Sequence, residues 1–370
     1  MEYIIHLTDK CNLRCKYCYE NKKEKDIKIE YIKDLIDYET DQKNKYSVIS
    51  FYGGEPLLKK EMIKETINYI NSKKSKTVFY YSMTTNGTLI DDEFIKYMKD
   101  NNFINIGYSI DGDKKSQDLN RITINGISSF DKVLENAKKI LKEFKNTVAM
   151  VVVTKNNIEY LDENVKFLIS IGFKYINLQF NYMDNWVDDD LKIIKEQYYK
   201  VSEIYADEII KENDVSIALF DDKIRTHVEE GYNCNKECKM GMKTINVGTD
   251  GNFYPCMQFV GDNSFIIGNC KNGIDIEKRK ELLLNSGKEN EICANCSINK
   301  RCKHTCSCKN YMTTNNVNGL APIVCETEKI IIEVADKMAE KLYKLNSKLF
   351  IQKYYNKDYD LLKQIINSRS

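Results

Sequence analysis

Cys11, Cys15 and Cys18 form a C-x3-C-x2-C loop directly after a short β-type run, Tyr3 to Leu7. Three thiolates on one tight loop can hold three irons of a [4Fe–4S] cube and leave the fourth iron open. A small molecule can bind at an open iron and receive an electron there. Eight further cysteines crowd the C-terminal third: Cys234, Cys238, Cys256, Cys293, Cys296, Cys302, Cys306 and Cys325. Together they make eleven of the chain's 13 cysteines, enough thiolates for three clusters; Cys270 and Cys308 are left over.

The elements that must position the first loop follow from the apolar rhythm. Short β-branched or aromatic runs are expected as strands at Tyr3–Leu7, Val48–Tyr52, Thr77–Met83, Ile104–Ile110, Val148–Thr154 and Tyr175–Phe180. A helical period follows each one, at about Glu30–Asp41, Lys59–Asn71, Asp91–Asp100, Ser129–Phe144, Ile158–Ile171 and Asp188–Lys211. Six alternations predict an α/β fold with a parallel sheet and crossover helices. Six units are too few for a closed eight-stranded barrel, so an open, curved (β/α)6 sheet is expected, a partial TIM-like barrel over residues 1–213. In such barrels the functional loops gather at the C-terminal ends of the strands. The unusual residues fall there: the cysteine loop after strand 1, Gly53-Gly54-Glu55-Pro56 after strand 2, Thr85-Asn86-Gly87 after strand 3, and Ser109 with Asp111-Gly112 at strand 4. The glycine pair permits close backbone approach to a ligand, and Glu55 adds a carboxylate for an ammonium group. GGEP or Thr-Asn-Gly alone reads equally as a turn; their meeting on one rim argues for a site.

Composition narrows the class. A net charge of +1 gives no electrostatic footprint for nucleic acid or an anionic membrane. No apolar run reaches the roughly 18 residues of a spanning helix, and no signal-peptide pattern opens the chain. A cytoplasmic protein is expected, and in that reducing compartment clustered cysteines read as metal ligands before disulfides.

The C-x3-C-x2-C loop, the GGEP and the Ser-x-Asp-Gly after the fourth strand resemble the radical S-adenosylmethionine (SAM) enzymes. The resemblance implies that Cys11, Cys15 and Cys18 hold the cluster whose open iron is chelated by the methionine end of SAM. It implies that Gly53, Gly54 and Glu55 receive the SAM amino group, that Tyr17 lies near the adenine, and that Ser109 contacts the ribose or methionine part. Arg121 would pair with the SAM carboxylate, a task that suits a planar, bidentate cation in a chain with only six arginines.

After about Asn213 the strand–helix rhythm stops. Cys238, Gly251 and Cys256, then Cys293-x2-Cys296-x5-Cys302-x3-Cys306, then Cys325 stand in the order C-x12-G-x4-C, gap, C-x2-C-x5-C-x3-C, gap, C. This resembles the SPASM extension of peptide-modifying radical SAM enzymes, here a Cys-rich region of residues 214–325. By that resemblance Cys234, Cys238, Cys256 and Cys306 would hold one auxiliary cluster, and Cys293, Cys296, Cys302 and Cys325 the other. Two zinc sites of four thiolates are the alternative that the C-x2-C spacing also allows. Residues 326–370 are expected as a C-terminal helical segment packing back on the barrel.

The stretch Tyr254 to Asn269 resembles the maturases that make cysteine thioether crosslinks, especially the SCIFF-type family, which usually show His where this chain has Met257. Anaerobic sulfatase-maturating enzymes, which make formylglycine, share the architecture but by resemblance place an Asp at that position. The expectation is therefore a radical SAM maturase acting on a ribosomally made precursor peptide, with thioether crosslinking favoured over formylglycine formation, epimerisation or carbon–carbon crosslinking. A non-catalytic iron–sulfur or zinc scaffold is the remote alternative. The expected cofactors are SAM and three [4Fe–4S] clusters. The expected partners are the peptide and a flavodoxin- or ferredoxin-type reductant; with the chain starting at strand 1, leader recognition is expected to be done by a separate leader-binding protein, by the C-terminal region, or not at all.

Overall fold

The computed structural model describes residues 1–20, 24–231, 240–288 and 290–356. Its centre is a nine-stranded sheet: β1 (Glu2–His6), β2 (Tyr46–Tyr52), β3 (Val78–Thr85), β4 (Phe103–Ser109), β5 (Val148–Val153), β6 (Tyr175–Phe180), β7 (Ser216–Ile217), β8 (Thr244–Val247) and β9 (Phe253–Tyr254). The spatial order is β7-β6-β5-β4-β3-β2-β1-β8-β9. β1 to β7 run parallel to their neighbours, β8 is parallel to β1, and β9 returns antiparallel to β8.

Alternation builds the strands. In β5, Ala149, Val151 and Val153 are buried and the residues between them are half-buried. The crossover helices are α1 (Ile29–Asp41), α2 (Lys60–Ser72), α3 (Asp92–Asp100), α4 (Lys114–Asn120), α5 (Phe130–Glu143), α6 (Leu161–Ser170) and α7 (Asp190–Ile210). In α5 the buried side chains Phe130, Val133, Ala137 and Ile140 recur every three or four residues, which lays one apolar stripe on the sheet. Asp91 caps α3 by accepting the Phe94 N–H at 2.8 Å.

All six expected strands and their helices form, with β6 matching its expected bounds. Beyond residue 213 the rhythm continues further than periodicity suggests: β7 and α8 (Ala218–Val228) complete one more strand–helix step, and β8 joins the open edge beside β1. The C-terminal region adds α9 (Ile276–Asn285), α10 (Glu291–Ala294), α11 (Ser307–Thr314), α12 (Pro322–Lys344) and α13 (Lys348–Tyr355). α12 packs on α7 and α8; Lys195 and Tyr199 of α7 hold its Glu333 at 2.8 Å each. Among the described residues no helix is long and apolar enough to cross a membrane.

Candidate active site

The cysteine loop leaves β1 and is pinned from two sides by backbone. On one side the N–H groups of Gly54 and Glu55 donate to Thr8 O (2.7 Å) and Lys10 O (2.9 Å). On the other, the N–H groups of Arg14 and Lys16 donate to Ile122 O (2.8 Å) and Asn120 O (3.0 Å). The glycines of GGEP are required by this contact. A Cβ at Gly53, whose φ is +120°, would lie 2.4 Å from Thr8 O, and one at Gly54 would lie 2.2 Å from Lys10 O. The close approach that the glycine pair permits is thus first to the cysteine loop itself. An ammonium only donates, so the backbone atoms it could use at Gly53 and Gly54 are the carbonyl oxygens.

Glu55 is fully buried and ties two rim loops together. Its Oε1 accepts the Leu57 N–H (3.0 Å) and the Thr85 hydroxyl (2.7 Å), and its Oε2 accepts the Asn86 N–H (2.8 Å). Burial pushes the carboxyl up to about 7 against the pull of these donors. The Thr-Asn-Gly turn is the other half of the tie. Asn86 Nδ2 donates to Asn12 Oδ1 (2.9 Å) and points at Cys11 Sγ (3.7 Å), and Asn12 Nδ2 reaches Thr88 (2.7 Å).

Arg121 and Asp111 form a buried ion pair across the rim. Arg121 Nε lies 3.0 Å from Asp111 Oδ1, and its Nη2 donates to Met150 O at 3.3 Å. Asp111 also accepts the Tyr17 hydroxyl (2.8 Å) and the Val152 N–H (3.0 Å). The guanidinium lies 5.2 Å from the Tyr17 ring centre. Tyr17, one residue before Cys18, is therefore held by the same pair. Ser109 ends β4 in register with Met150, the residue whose carbonyl receives Arg121. Asp111 is the site residue to which sequence reasoning assigns no role, although its Asp-Gly stands on the expected rim.

The loop's chemistry suits an iron–sulfur cluster. Its three cysteines carry no disulfide. Cys11 Sγ receives the Leu13 N–H at 3.4 Å, the kind of donor that settles a thiolate ligand. Burial pushes the Cys11 thiol up to about 11, a shift that a bound cation would oppose. Among the described residues no three His, Cys, Asp or Glu side chains converge on a point that one ion would occupy. A cube asks for a wider arrangement, since each thiolate meets its own iron.

A cavity of about 810 Å³ opens from this loop toward the C-terminal region. Lys16, Tyr17, Cys18 and Tyr19 line one side, and Cys256, Met257, Cys306 and Cys308 line another. Tyr19 bridges the two, with its hydroxyl 2.8 Å from the Tyr52 hydroxyl and 3.1 Å from Met257 Sδ. Cys256, Cys306 and Cys308 lie together in the cavity wall, where the neighbouring Cys308 thiol pulls Cys256 and Cys306 below the ordinary thiol range, and Cys308 Sγ donates to Met240 Sδ at 3.9 Å. Cys234 and Cys238 lie outside the described residues. Cys325 sits near Cys293 and Cys296, while Cys302 is pushed up to about 12 by burial and hydrogen-bonds with Glu328. Glu328 itself is a buried hub that accepts Lys223 Nζ (2.6 Å) and the Lys303 N–H (3.0 Å) in the cavity wall.

Residues 5–168 match the family model described as the radical SAM superfamily. Over 328 residues the chain is 29% identical to a cysteine-type anaerobic sulfatase-maturating enzyme of Clostridium perfringens, covering 80% of this chain and 85% of that protein. The solved structure of native anSMEcpe with bound AdoMet and Cp18Cys peptide has the same fold, with a TM-score of 0.79 at 24% identity over 93% of this chain and 99% of that one. Streptococcus suis SuiB bound to precursor peptide SuiA aligns with a TM-score of 0.61 at 18% identity, over 88% and 75% of the two chains. With the cysteine loop, the GGEP tie and the Arg121–Asp111 pair on one rim, this chain carries a radical SAM domain over residues 5–168 and is an enzyme of that type.

Proposed function

We propose that this enzyme modifies a cysteine-containing, ribosomally made peptide, and that the modification is a thioether crosslink. The observation that carries this reading is the cavity that opens on the cysteine loop at one side and on Cys256 and Cys306 at the other. A peptide segment fits such a space, and relatives that match over 80% and 87% of the chain are named as sulfatase-maturating enzymes.

In this reading Cys11, Cys15 and Cys18 hold the SAM-binding cluster, and Cys234, Cys238, Cys256 and Cys306 with Cys293, Cys296, Cys302 and Cys325 hold two auxiliary ones. When bound, cluster and SAM supply a carbon radical able to remove hydrogen from an unactivated C–H bond. The protein's part is to place and enclose. The Gly53 and Gly54 carbonyls would receive the SAM ammonium, the remaining Arg121 N–H donors its carboxylate, Tyr17 would lie near the adenine, and Ser109 would contact the ribose or methionine part. Glu55 acts one step back, by fixing GGEP to the turn that carries Asn86. An external flavodoxin or ferredoxin would supply the electron, and a separate protein could present the leader.

Formylglycine formation is the second reading, favoured by the named function of the Clostridium perfringens relative. Met257 weighs against it. It lines the cavity and accepts the Tyr19 hydroxyl, and a thioether sulfur takes up no proton, so that route would need its base elsewhere. The test is anaerobic incubation of reconstituted enzyme with SAM, reductant and a Cys-containing peptide. Loss of two hydrogens from the peptide, with no reaction toward a hydrazide, supports crosslinking; hydrazide capture of an aldehyde replaces it with formylglycine formation.

A further inference from the structure

We propose that the peptide substrate lies along β6 as an added strand, hydrogen-bonded through its own main chain to the N–H and C=O groups of Leu178 and Phe180. This rests on the peptide-modifying reading made above and names how the peptide is held. On one side β6 is fully paired, with Tyr175 to Phe180 in register with Val148 to Val153 of β5. On the other side β7 offers only two residues, and the pairing stops at Ile176–Ile217. The chain then turns into α8 at Ala218. Parity fixes which groups this leaves. The Asn181 N–H donates to Val153 O at 2.9 Å, so the odd-numbered residues of β6 turn their backbone to β5. Lys174 O accepts the Ser216 N–H at 2.7 Å, so the even-numbered ones turn theirs to β7. Leu178 and Phe180 are even-numbered and lie beyond the end of β7. Among the described residues no other strand or loop backbone bonds to the N–H or C=O of either.

Such a row of unpaired groups is a template for another strand. This one opens on the cavity: Leu178, Gln179 and Phe180 line it from β6, and Ala218 and Leu219 from the start of α8. Leu178 is 6% exposed with its side chain in the core, which leaves its backbone to face that space. Two residues of an extended chain rise about 6.7 Å, so Leu178 and Phe180 recur at the spacing of every second residue of a peptide. The rest of the wall suits a main chain better than a charged small molecule. Asn177 and Gln179, on one face of β6, line the cavity with carboxamides. Two lysines of the wall are already occupied, Lys223 with Glu328 and Lys303 with Asp222. The cavity also reaches Lys16 to Tyr19, so a strand held on β6 lies in the space that borders the cysteine loop. Main-chain pairing sets the register of the peptide and leaves the choice of side chains to the pockets around it.

The experiment selects from an mRNA-displayed library of single-cysteine peptides on the anaerobic, iron-loaded full-length enzyme with SAM present. An enriched peptide is then resynthesised with one N-methyl amide at each position in turn. Methylation removes the N–H, so affinity should fall about tenfold or more at alternate residues of one stretch and change little at those between. Hydrogen exchange read residue by residue should slow at the Leu178 and Phe180 amides when the peptide binds. It should stay unchanged at Gln179 and Asn181, whose amides face β5. Sensitivity to methylation without that alternation, or unslowed exchange at Leu178 and Phe180, would overturn the proposal while leaving a peptide substrate in place. A library that enriches no peptide would overturn the peptide reading itself.

Discussion

Replacing Arg121 with alanine removes the cation from a pair whose side chains are 7% and 0% exposed. Breaking one partner of a buried ion pair costs about 3–5 kcal/mol, because the remaining charge is stranded. Here Asp111 keeps the Tyr17 hydroxyl and the Val152 N–H, which places the expected loss near the lower bound, at about 3 kcal/mol. Arg121→Lys retains the charge but cannot span both Asp111 and Met150 O, and should cost about 1–2 kcal/mol. Adding Asp111→Asn to Arg121→Ala removes the stranded charge and should recover a substantial part of the loss. Urea unfolding of the anaerobic, iron-loaded enzyme measures stability, and equilibrium binding of SAM measures ligand contact. The double variant should regain stability and still bind SAM poorly, since no guanidinium remains for the carboxylate. An Arg121→Ala enzyme within about 0.5 kcal/mol of wild type would refute the idea that this pair builds the rim.

Three other outcomes follow from the same geometry. Cys15→Ala should abolish SAM cleavage while sparing the iron held in the C-terminal region; iron falling to near zero would show that the sites are not independent. Gly54→Ala drives a Cβ to 2.2 Å from Lys10 O, so it should cost about 1–3 kcal/mol and deplete N-terminal cluster iron, as read by iron content and urea unfolding. Glu333 on α12 is held down to about 2 by the hydrogen bond from Lys195, helped by Lys337 and Tyr199. A depressed carboxyl stabilises the fold above the usual carboxylate range and stops doing so as pH falls through about 2, so Glu333→Gln should flatten the acid side of the stability profile, followed by circular dichroism.

Much of this was legible in the residues. The six strand–helix steps show because β-branched runs of five to eight residues alternate with helical periods long enough to register. β7 and β9, two residues each, are too short for any period, and β8 finds its place only by pairing with β1 across the whole barrel. Cysteine spacing marked the thiols, yet it could not show that Cys308 lies with Cys256 and Cys306 in the cavity wall. GGEP was visible as a motif, but its glycines answer to the backbone at Thr8 and Lys10, a contact made only when β1 and β2 stand side by side. Asp111 and Arg121 are separated by α4, and the chain reversal that pairs them leaves no mark on composition. The Tyr19–Met257 contact joins residues 238 positions apart, beyond the reach of any local pattern.

The central claim is that the Cys11–Cys15–Cys18 loop carries a cluster able to split SAM. Anaerobic, reconstituted enzyme given dithionite and SAM should yield 5′-deoxyadenosine and methionine, and should yield neither when Cys11, Cys15 or Cys18 is replaced by alanine. Fully iron-loaded wild-type enzyme that forms no 5′-deoxyadenosine, with or without peptide, would contradict it.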